Sequence, residues 1–264
     1  PDTLASCHLV AAGGIASLLL SKHDSMKDPT TIAPIGLLGN THGQPINLAD
    51  CALKKIMCSR PRPLTLAVAG TTMNAGKTTT AASLIKGLTG SGMKTGAAKI
   101  SGTGAGGDIW FMKDSGAHPV LDFTDAGFPS TYRIALNQME EIMSILTSHL
   151  QDSGVDAIVL EVADGLYQEE TASFLSSSVF KRNIDGIIFA ARDAMGGKAG
   201  VEWLEKFDMP VVALSGALTR SPLAIREARE VIDIETLTSK TLSSPAIIDH
   251  IGEWFPDLRN SSIH

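Results

Sequence analysis

Two observations predict an α/β fold for residues 61–264, with a mostly parallel central sheet and helices on both of its faces. Six short apolar runs alternate with segments of helical pattern, and a glycine-rich loop joins the first run to the first helix. Parallel strands that are buried on both faces have such continuous apolar runs. Strands are expected at 64–69, 95–100, 119–123, 157–162, 186–190 and 211–215, and helices at 78–88, 109–115, 134–151, 171–180, 200–207, 222–232 and 246–254.

Composition indicates a globular protein that binds neither nucleic acid nor a membrane. The 264 residues are 44% hydrophobic, carry a net charge of −6 and contain no Lys/Arg cluster, which argues against a nucleic-acid surface. The longest weakly polar stretch, 9–20, is too short to span a bilayer and follows no basic segment. Cys7, Cys51 and Cys58 form no metal-type pair, so reduced thiols and a cytoplasmic location are expected.

Residues 1–60 lack the alternation of strand and helix seen later in the chain. A helix is expected at 9–20 and a short strand at 35–38. The run Arg60-Pro-Arg-Pro63 disfavours a helix and makes a natural boundary. Because the chain starts at Pro1 rather than Met, we expect residues 1–60 to be an N-terminal segment that is the linker or remnant of a larger upstream domain, and 61–264 to be the nucleotide-binding domain.

The loop at 70–78 has the sequence GTTMNAGKT and lies between the first strand and the first helix. Glycines let successive backbone N–H groups face a polyphosphate, and the helix N-terminus adds a favourable dipole. Lys77 supplies a cation and the Thr78 hydroxyl a ligand for Mg²⁺. The expected nucleotide-binding residues are Gly70, Thr71, Asn74, Ala75, Gly76, Lys77, Thr78 and Thr79.

The spacing of this loop departs from the common Walker A pattern. Five residues separate Gly70 from Gly76, whereas G-x-x-x-x-G-K-[ST] has four. A glycine-rich turn with an incidental Lys-Thr pair is the alternative. The strand before the loop and the helix after it favour phosphate binding.

A second group of candidates follows the second strand. Lys99 ends this strand beside a glycine-rich loop that closes on Asp108. Lys99 could neutralise a transferring phosphoryl group, and Asp108 could reach Mg²⁺. The alternatives are a solvated lysine at the strand end and an aspartate that caps the next helix.

Acidic residues also follow the third and fourth strands. Glu161 is the first choice for a carboxylate directed at Mg²⁺, with Asp164 beside it. The alternative for Asp164-Gly165 is a simple turn. Asp122 and Asp125 could line the same crevice, but their spacing before a glycine is again typical of a turn. The loops at 192–197 and 215–222 follow the last two strands and could contact substrate or base.

These residues together resemble the dethiobiotin synthetase branch of the P-loop NTPases, which includes the amidotransferase-type cobyrinate synthases. That branch has the loop G-T-x-x-x-x-G-K-T with the same five-residue gap. Lys99 falls at its substrate-contacting lysine, Asp108 at its Mg²⁺-ligating aspartate, and Glu161 at the glutamate of its E-G-A-G-G loop, which here is EVADG. The resemblance covers about residues 64–220 and implies a three-layer P-loop sandwich that works as a homodimer.

The sequence therefore predicts an ATP- and Mg²⁺-dependent ligase, synthetase or kinase-like enzyme that activates a carboxylate or carbamate of a small acidic metabolite by phosphoryl transfer. Lys77, Lys99 and Glu161 are the expected catalytic residues, and Thr78, Asp108 and Glu161 the expected metal ligands. Two alternatives stay open. One is a P-loop acyltransferase that uses acyl-CoA on an amino acid, and the other is a nucleotide-gated binding or assembly NTPase.

Overall fold

The N-terminal part of the chain is a small antiparallel sheet followed by a largely exposed connector. The computed structural model describes residues 3–11 and 13–257. Strand β1 (Cys7–Ala11) pairs with β2 (Ile15–Ser17) on one side and with β3 (Thr31–Ile32) on the other. A single 3-10 turn, Leu48–Cys51, lies in the connector.

Two expectations for this segment are wrong. The stretch 9–20, expected to be a helix, contains β1 and β2 in its described part, and Gly14 has φ 87° in the turn between them. A helix cannot continue through that left-handed residue. The stretch 35–38, expected to be a strand, pairs with no strand among the described residues.

The principal sheet has six strands, each close to the place that the apolar runs predict. They are β4 (Leu64–Gly70), β5 (Thr95–Lys99), β6 (Val120–Asp122), β7 (Ala157–Glu161), β8 (Gly186–Ala190) and β9 (Val211–Ser215). The helices are α1 (Lys77–Gly90), α2 (Gly106–Asp114), α3 (Leu136–Asp152), α4 (Glu169–Leu175), α5 (Ser178–Asn183), α6 (Ala194–Glu205), α7 (Pro222–Val231), α8 (Ser239–Leu242) and α9 (Ile247–Trp254).

The strand order is β6-β5-β7-β4-β8-β9, and all neighbouring strands are parallel. Their carboxyl ends therefore lie along one edge of the sheet. β4, which leads into the loop at 70–78, lies between β7 and β8. In open α/β sheets, ligands bind in the crevice outside this edge.

Two hydrophobic cores lie on opposite faces of the sheet. Along β4, Leu66 and Val68 point to the face covered by α1, α2, α8 and α9, while Ala67 and Ala69 point to the face covered by α3 to α7. This alternation follows from the period of two in a strand. The result is the expected three-layer sandwich, with helices on both sides of the sheet.

Two expected segments differ from the structure, and a further helix, α8 (Ser239–Leu242), was not expected. The helix expected at 171–180 is divided into α4 and α5, because Ser177 caps the second of them by accepting a hydrogen bond from the Phe180 amide. The loop expected at 192–197 is mostly helical, since Asp193 accepts a hydrogen bond from Gly196 N at 2.7 Å and starts α6. No described helix has the length and apolar character needed to span a bilayer.

Candidate functional site

The phosphate loop curls tightly between β4 and α1. Gly76, just before α1, has φ 96°, and Asn74 has φ 62°. A Cβ at Gly70 would lie 2.6 Å from Ala190 O and 2.9 Å from Lys77 Cγ, so only glycine fits there. No side chain caps the N-terminus of α1. The first N–H groups of a helix have no intrahelical acceptor, so those of α1 are available to an anion.

Lys77 lies inside this loop rather than in solvent. Its side chain is largely buried, and Nζ donates a hydrogen bond to Thr72 O at 2.9 Å. Burial lowers the pKa of the Lys77 ammonium, and the charges of Glu161 and Asp164 partly oppose this shift. The lysine is therefore a desolvated cation held at the place where a phosphate would neutralise it.

Glu161 ends β7, beside the strand that carries the loop. Thr78 Oγ1 donates a hydrogen bond to Glu161 Oε1 at 2.7 Å. Glu161 Oε2 is buried and accepts no hydrogen bond from the described residues. Burial raises the pKa of the Glu161 carboxyl, although Lys99, Thr78 and Lys77 act in the opposite direction. A buried carboxylate oxygen without a donor is the kind of group that a cation or a bound water satisfies.

Lys99 stands directly beside Glu161, because β5 and β7 pair in parallel with these two residues in register. Lys99 forms an ion pair with Asp108 in the first turn of α2 and is only 7% exposed. Both alternatives for this pair are therefore wrong: Lys99 is not solvated, and the residue that precedes α2 is Ala105 rather than Asp108. Glu161, Lys99 and Asp108 lie close enough to influence one another electrostatically.

The loop after Glu161 packs against the phosphate loop. A Cβ at Gly165 would lie 2.3 Å from Thr71 O, so this close approach requires glycine. Asp164 has φ 66° in the left-handed region that favours glycine. A glycine stands at this position in the E-G-A-G-G loop that the sequence resembles, whereas this chain has an aspartate with positive φ.

Asp122 and Asp125 form a turn at the end of β6. Asp122 Oδ1 accepts a hydrogen bond from Thr124 N, and Asp125 Oδ2 accepts one from Asp122 N, both at 2.8 Å. This arrangement is the turn chemistry that was the alternative for these residues. They line a separate cavity of about 660 Å³ between α2 and the β1–β2 turn. Burial raises the pKa of Asp125.

Arg220 is a candidate that the sequence did not single out. It ends the 3-10 turn Ala217–Arg220 after β9 and lines a cavity of about 340 Å³ at the phosphate loop. The other lining residues are Asn74, Gly76, Lys77, Thr78 and Thr79. The only signal in the sequence is that the loop 215–222 follows a strand at the carboxyl edge of the sheet.

Magnesium fits the hydroxyl and carboxylate that meet at Thr78 and Glu161. Both are hard oxygen ligands, and Mg²⁺ commonly takes one or two protein ligands together with substrate phosphates and water. Within the described residues no group of three or more His, Cys, Asp or Glu could hold a metal by itself. Asp108, the third expected ligand, is occupied by Lys99.

Three features define a P-loop NTPase fold. They are the phosphate loop at the end of a central parallel strand, the helix that follows this loop, and the three-layer architecture. No protein-family model matches the chain, and no curated protein matches it.

Among solved structures, the signal recognition particle 54 kDa protein from Aeropyrum pernix in complex with GDP matches 76% of this chain and 49% of its own, at 18% identity and a TM-score of 0.48. The signal recognition particle receptor FtsY from Elizabethkingia anophelis matches 60% and 52%, at 16% identity and a TM-score of 0.41. Its GDP complex matches 64% and 53%, at 15% identity and a TM-score of 0.42. The chain spans about half the length of these structures.

Proposed function

We propose that this protein is an ATP- and Mg²⁺-dependent enzyme that activates a carboxylate or carbamate of a small acidic molecule by phosphoryl transfer. One observation carries the proposal: the Thr78 hydroxyl of the phosphate loop contacts the buried Glu161 carboxylate, whose second oxygen has no donor among the described residues. This is the arrangement of oxygen atoms that a magnesium–nucleotide complex requires. The resemblance to the dethiobiotin synthetase branch supports the same chemistry.

Each residue of the site has a role in this proposal. The amides of residues 74–79 and the Lys77 ammonium would bind the phosphates. Thr78 and Glu161 would hold Mg²⁺, which would neutralise part of the phosphate charge. An oxygen of the substrate carboxylate or carbamate attacks the γ-phosphorus, and the bond to the β–γ bridging oxygen breaks. The products are an acyl or carbamoyl phosphate and ADP.

Lys99 is the group that we assign to the acidic substrate and to the transferring phosphoryl group. It is buried beside Glu161, and its charge is balanced by Asp108 while no anionic ligand is bound. An incoming carboxylate or phosphoryl group would compete with Asp108 for this ammonium. Asp108 would then be released toward the Mg²⁺ complex, which is the metal role that the resemblance implies.

We also propose that residues 61–264 act as the catalytic domain of a cytoplasmic homodimer. The free thiols of Cys7, Cys51 and Cys58 support a reducing compartment. The resemblance supports the homodimer, because related enzymes build their sites across a dimer. The small acidic substrate is supported by the cationic Lys77 and Lys99 within an otherwise acidic chain.

Calorimetric titration of the purified chain with a non-hydrolysable ATP analogue, with and without Mg²⁺, tests this proposal. Mg²⁺-dependent binding is expected, and Lys77→Ala should weaken it by at least a hundredfold because it removes the buried cation. Lys86→Ala is the matched control, since Lys86 lies on the exposed side of the same helix. Thermal unfolding of both variants should stay near that of the wild type.

Two other outcomes would replace the proposal. Binding of acetyl-CoA without a response to the ATP analogue would support the acyltransferase alternative. Nucleotide binding that only changes the association state, with slow hydrolysis and no phosphorylated product for any carboxylic acid, would support the nucleotide-gated alternative. Titration with a GTP analogue in parallel measures which base is preferred.

A further inference from the structure

Among the residues that the structure describes, no acidic side chain lines the cavity at the phosphate loop. Its six lining residues provide two cations, two hydroxyls, one carboxamide and the backbone of one glycine, and they are Asn74, Gly76, Lys77, Thr78, Thr79 and Arg220. The chain as a whole has 28 acidic and 22 basic residues. A cavity without carboxylates is therefore a local exception to the charge of the molecule, and it complements an anion.

The turn that carries Arg220 is joined to the phosphate loop through its backbone. Ala217 N donates a hydrogen bond to Ala75 O at 2.8 Å, which joins the 3-10 turn to the phosphate loop itself. Gly216 has φ 97°, and a Cβ there would lie 2.4 Å from Ala75 O and 2.8 Å from Ala191 N. Only glycine permits this approach. The position of the turn is thus fixed relative to the loop.

The guanidinium of Arg220 has no partner of its own. Among residues 3–11 and 13–257 it makes no hydrogen bond, ion pair or ring contact. Arg62 pairs with Asp185, and Arg133 lies over the Tyr132 ring. An exposed arginine without a partner is unremarkable by itself. Arg220, however, lines the same cavity as Lys77 and the first residues of α1, and no acidic side chain among the lining residues neutralises their positive charge.

We propose that Arg220 binds the phosphate chain of the ligand from the side opposite Lys77, so that two cations clamp it. This inference deepens the proposed function and rests on it. Guanidinium offers a planar fork that matches two phosphate oxygens, whereas an ammonium supplies a point charge. The ligand class is therefore a polyphosphate whose oxygen atoms reach both Lys77 and Arg220 in this cavity. Arg220 belongs to the phosphate site and does not recognise the base.

The experiment compares Arg220→Ala, Arg220→Lys and the wild type by calorimetry, with Mg²⁺ and either the ATP analogue or inorganic tripolyphosphate. Arg220→Ala should weaken both ligands by a similar factor, about ten- to thirtyfold, because both offer the same phosphate oxygens. Arg220→Lys should recover less than half of the affinity that Arg220→Ala loses, measured as the logarithm of Kd. Arg226→Ala, an exposed arginine of α7 outside the cavity, should leave both affinities unchanged.

The outcomes separate this inference from the proposed function. If the wild type binds the ATP analogue and Arg220→Ala binds it equally well, the role of Arg220 is refuted while the proposed function stands. If the alanine variant loses affinity for the analogue but not for tripolyphosphate, Arg220 contacts the nucleoside and the phosphate clamp is wrong. A wild type that binds neither ligand overturns the proposed function and the role of Arg220 with it.

Discussion

Glu161 is the residue at which stability and function oppose each other most directly. Its carboxylate is only 2% exposed, one oxygen accepts from Thr78, and the other has no donor among the described residues. Burial of a charge without complete pairing costs free energy in the ligand-free protein. The neighbouring ammonium groups of Lys99 and Lys77 reduce this cost, yet the pKa of Glu161 remains raised. Bound Mg²⁺ would remove the remainder.

Glu161→Gln should therefore stabilise the ligand-free protein at pH 7.5, by about 1–3 kcal/mol. The raised pKa means that the folded state binds the proton more tightly than the unfolded state. The contribution of Glu161 to stability is therefore greatest below the ordinary pKa of 4.5 and falls as the pH rises through the folded-state pKa. The neutral variant lacks this fall. The difference in the free energy of unfolding between Glu161→Gln and the wild type should therefore grow with pH. Urea unfolding from pH 4.5 to 8 measures it.

Glu141→Gln is the control for this series, because Glu141 is an exposed carboxylate on α3. Its stability should follow that of the wild type at every pH within about 0.5 kcal/mol. A Glu161→Gln variant that is less stable than the wild type at pH 7.5 would show that attraction to Lys99 and Lys77 outweighs burial. Mg²⁺ with the ATP analogue should stabilise the wild type more than Glu161→Gln.

At the scale of elements, the apolar runs located every strand of the principal sheet, because a buried parallel strand has a continuous apolar signature. The extents of the helices were predicted less accurately than the positions of the strands. The division between α4 and α5 depends on Ser177, whose hydroxyl caps a new helix and could equally have faced solvent inside a longer one. The N-terminal hairpin was missed because its apolar residues also fit a helical period, and Gly13 and Gly14 were not read as a turn.

Helix α1 packs so closely against the end of α8 and the residues after it that a side chain at one of its glycines would clash with backbone atoms. A Cβ at Gly87 would lie 2.1 Å from Leu242 O and 3.0 Å from Ser244 O, both backbone atoms. Gly87→Ala should lower the free energy of unfolding by about 1–3 kcal/mol through overpacking. Chemical denaturation measures this loss, and nucleotide affinity should change little because the residue is far along α1 from the phosphate loop.

Gly107→Ala is the matched change in α2, where nothing lies within 4 Å of the added Cβ. It should raise the stability by about 0.5–1 kcal/mol, since alanine costs less conformational entropy in a helix. Equal effects of the two substitutions would contradict the packing that the structure shows between α1 and α8. A loss at Gly107 would instead show that the N-terminal turn of α2 must remain flexible.

At the scale of the whole molecule, the N-terminal segment contributes little to the core. The buried residues of both hydrophobic clusters begin at Leu64. Several contacts join the end of the segment to the rest of the chain. Leu53 N donates to Asp125 O at 2.7 Å and Ile56 N donates to Ser148 Oγ at 3.4 Å, while Leu53 packs at the edge of one cluster. The side chains of His149 and Gln151 also contact the carbonyl oxygens of Lys54 and Arg60. Because these contacts lie outside the two hydrophobic clusters or at the edge of one, we propose a domain boundary near residue 60.

Residues 61–264 alone should therefore fold and bind the nucleotide analogue with a Kd within about threefold of that of the full chain. The loss of the Leu53 contact should reduce stability by about 1–2 kcal/mol. Calorimetry and urea unfolding of both forms check these values, with the full-length Leu53→Ala variant as the reference for the lost contact. A fragment that lacks a cooperative unfolding transition would show that residues 1–60 belong to the fold.

The sequence by itself determined the strand, phosphate loop and first helix, the positions of the six strands, and the placement of Lys99 and Glu161 at strand ends. These features depend on local periodicity and turn residues. Tertiary structure alone decided that β7 lies beside β4, which brings Glu161 to Thr78 across 83 residues of chain. It also decided the Lys99–Asp108 pair and the position of Arg220. The physical reason is that strand order and loop docking depend on the packing of distant segments, which no local pattern encodes.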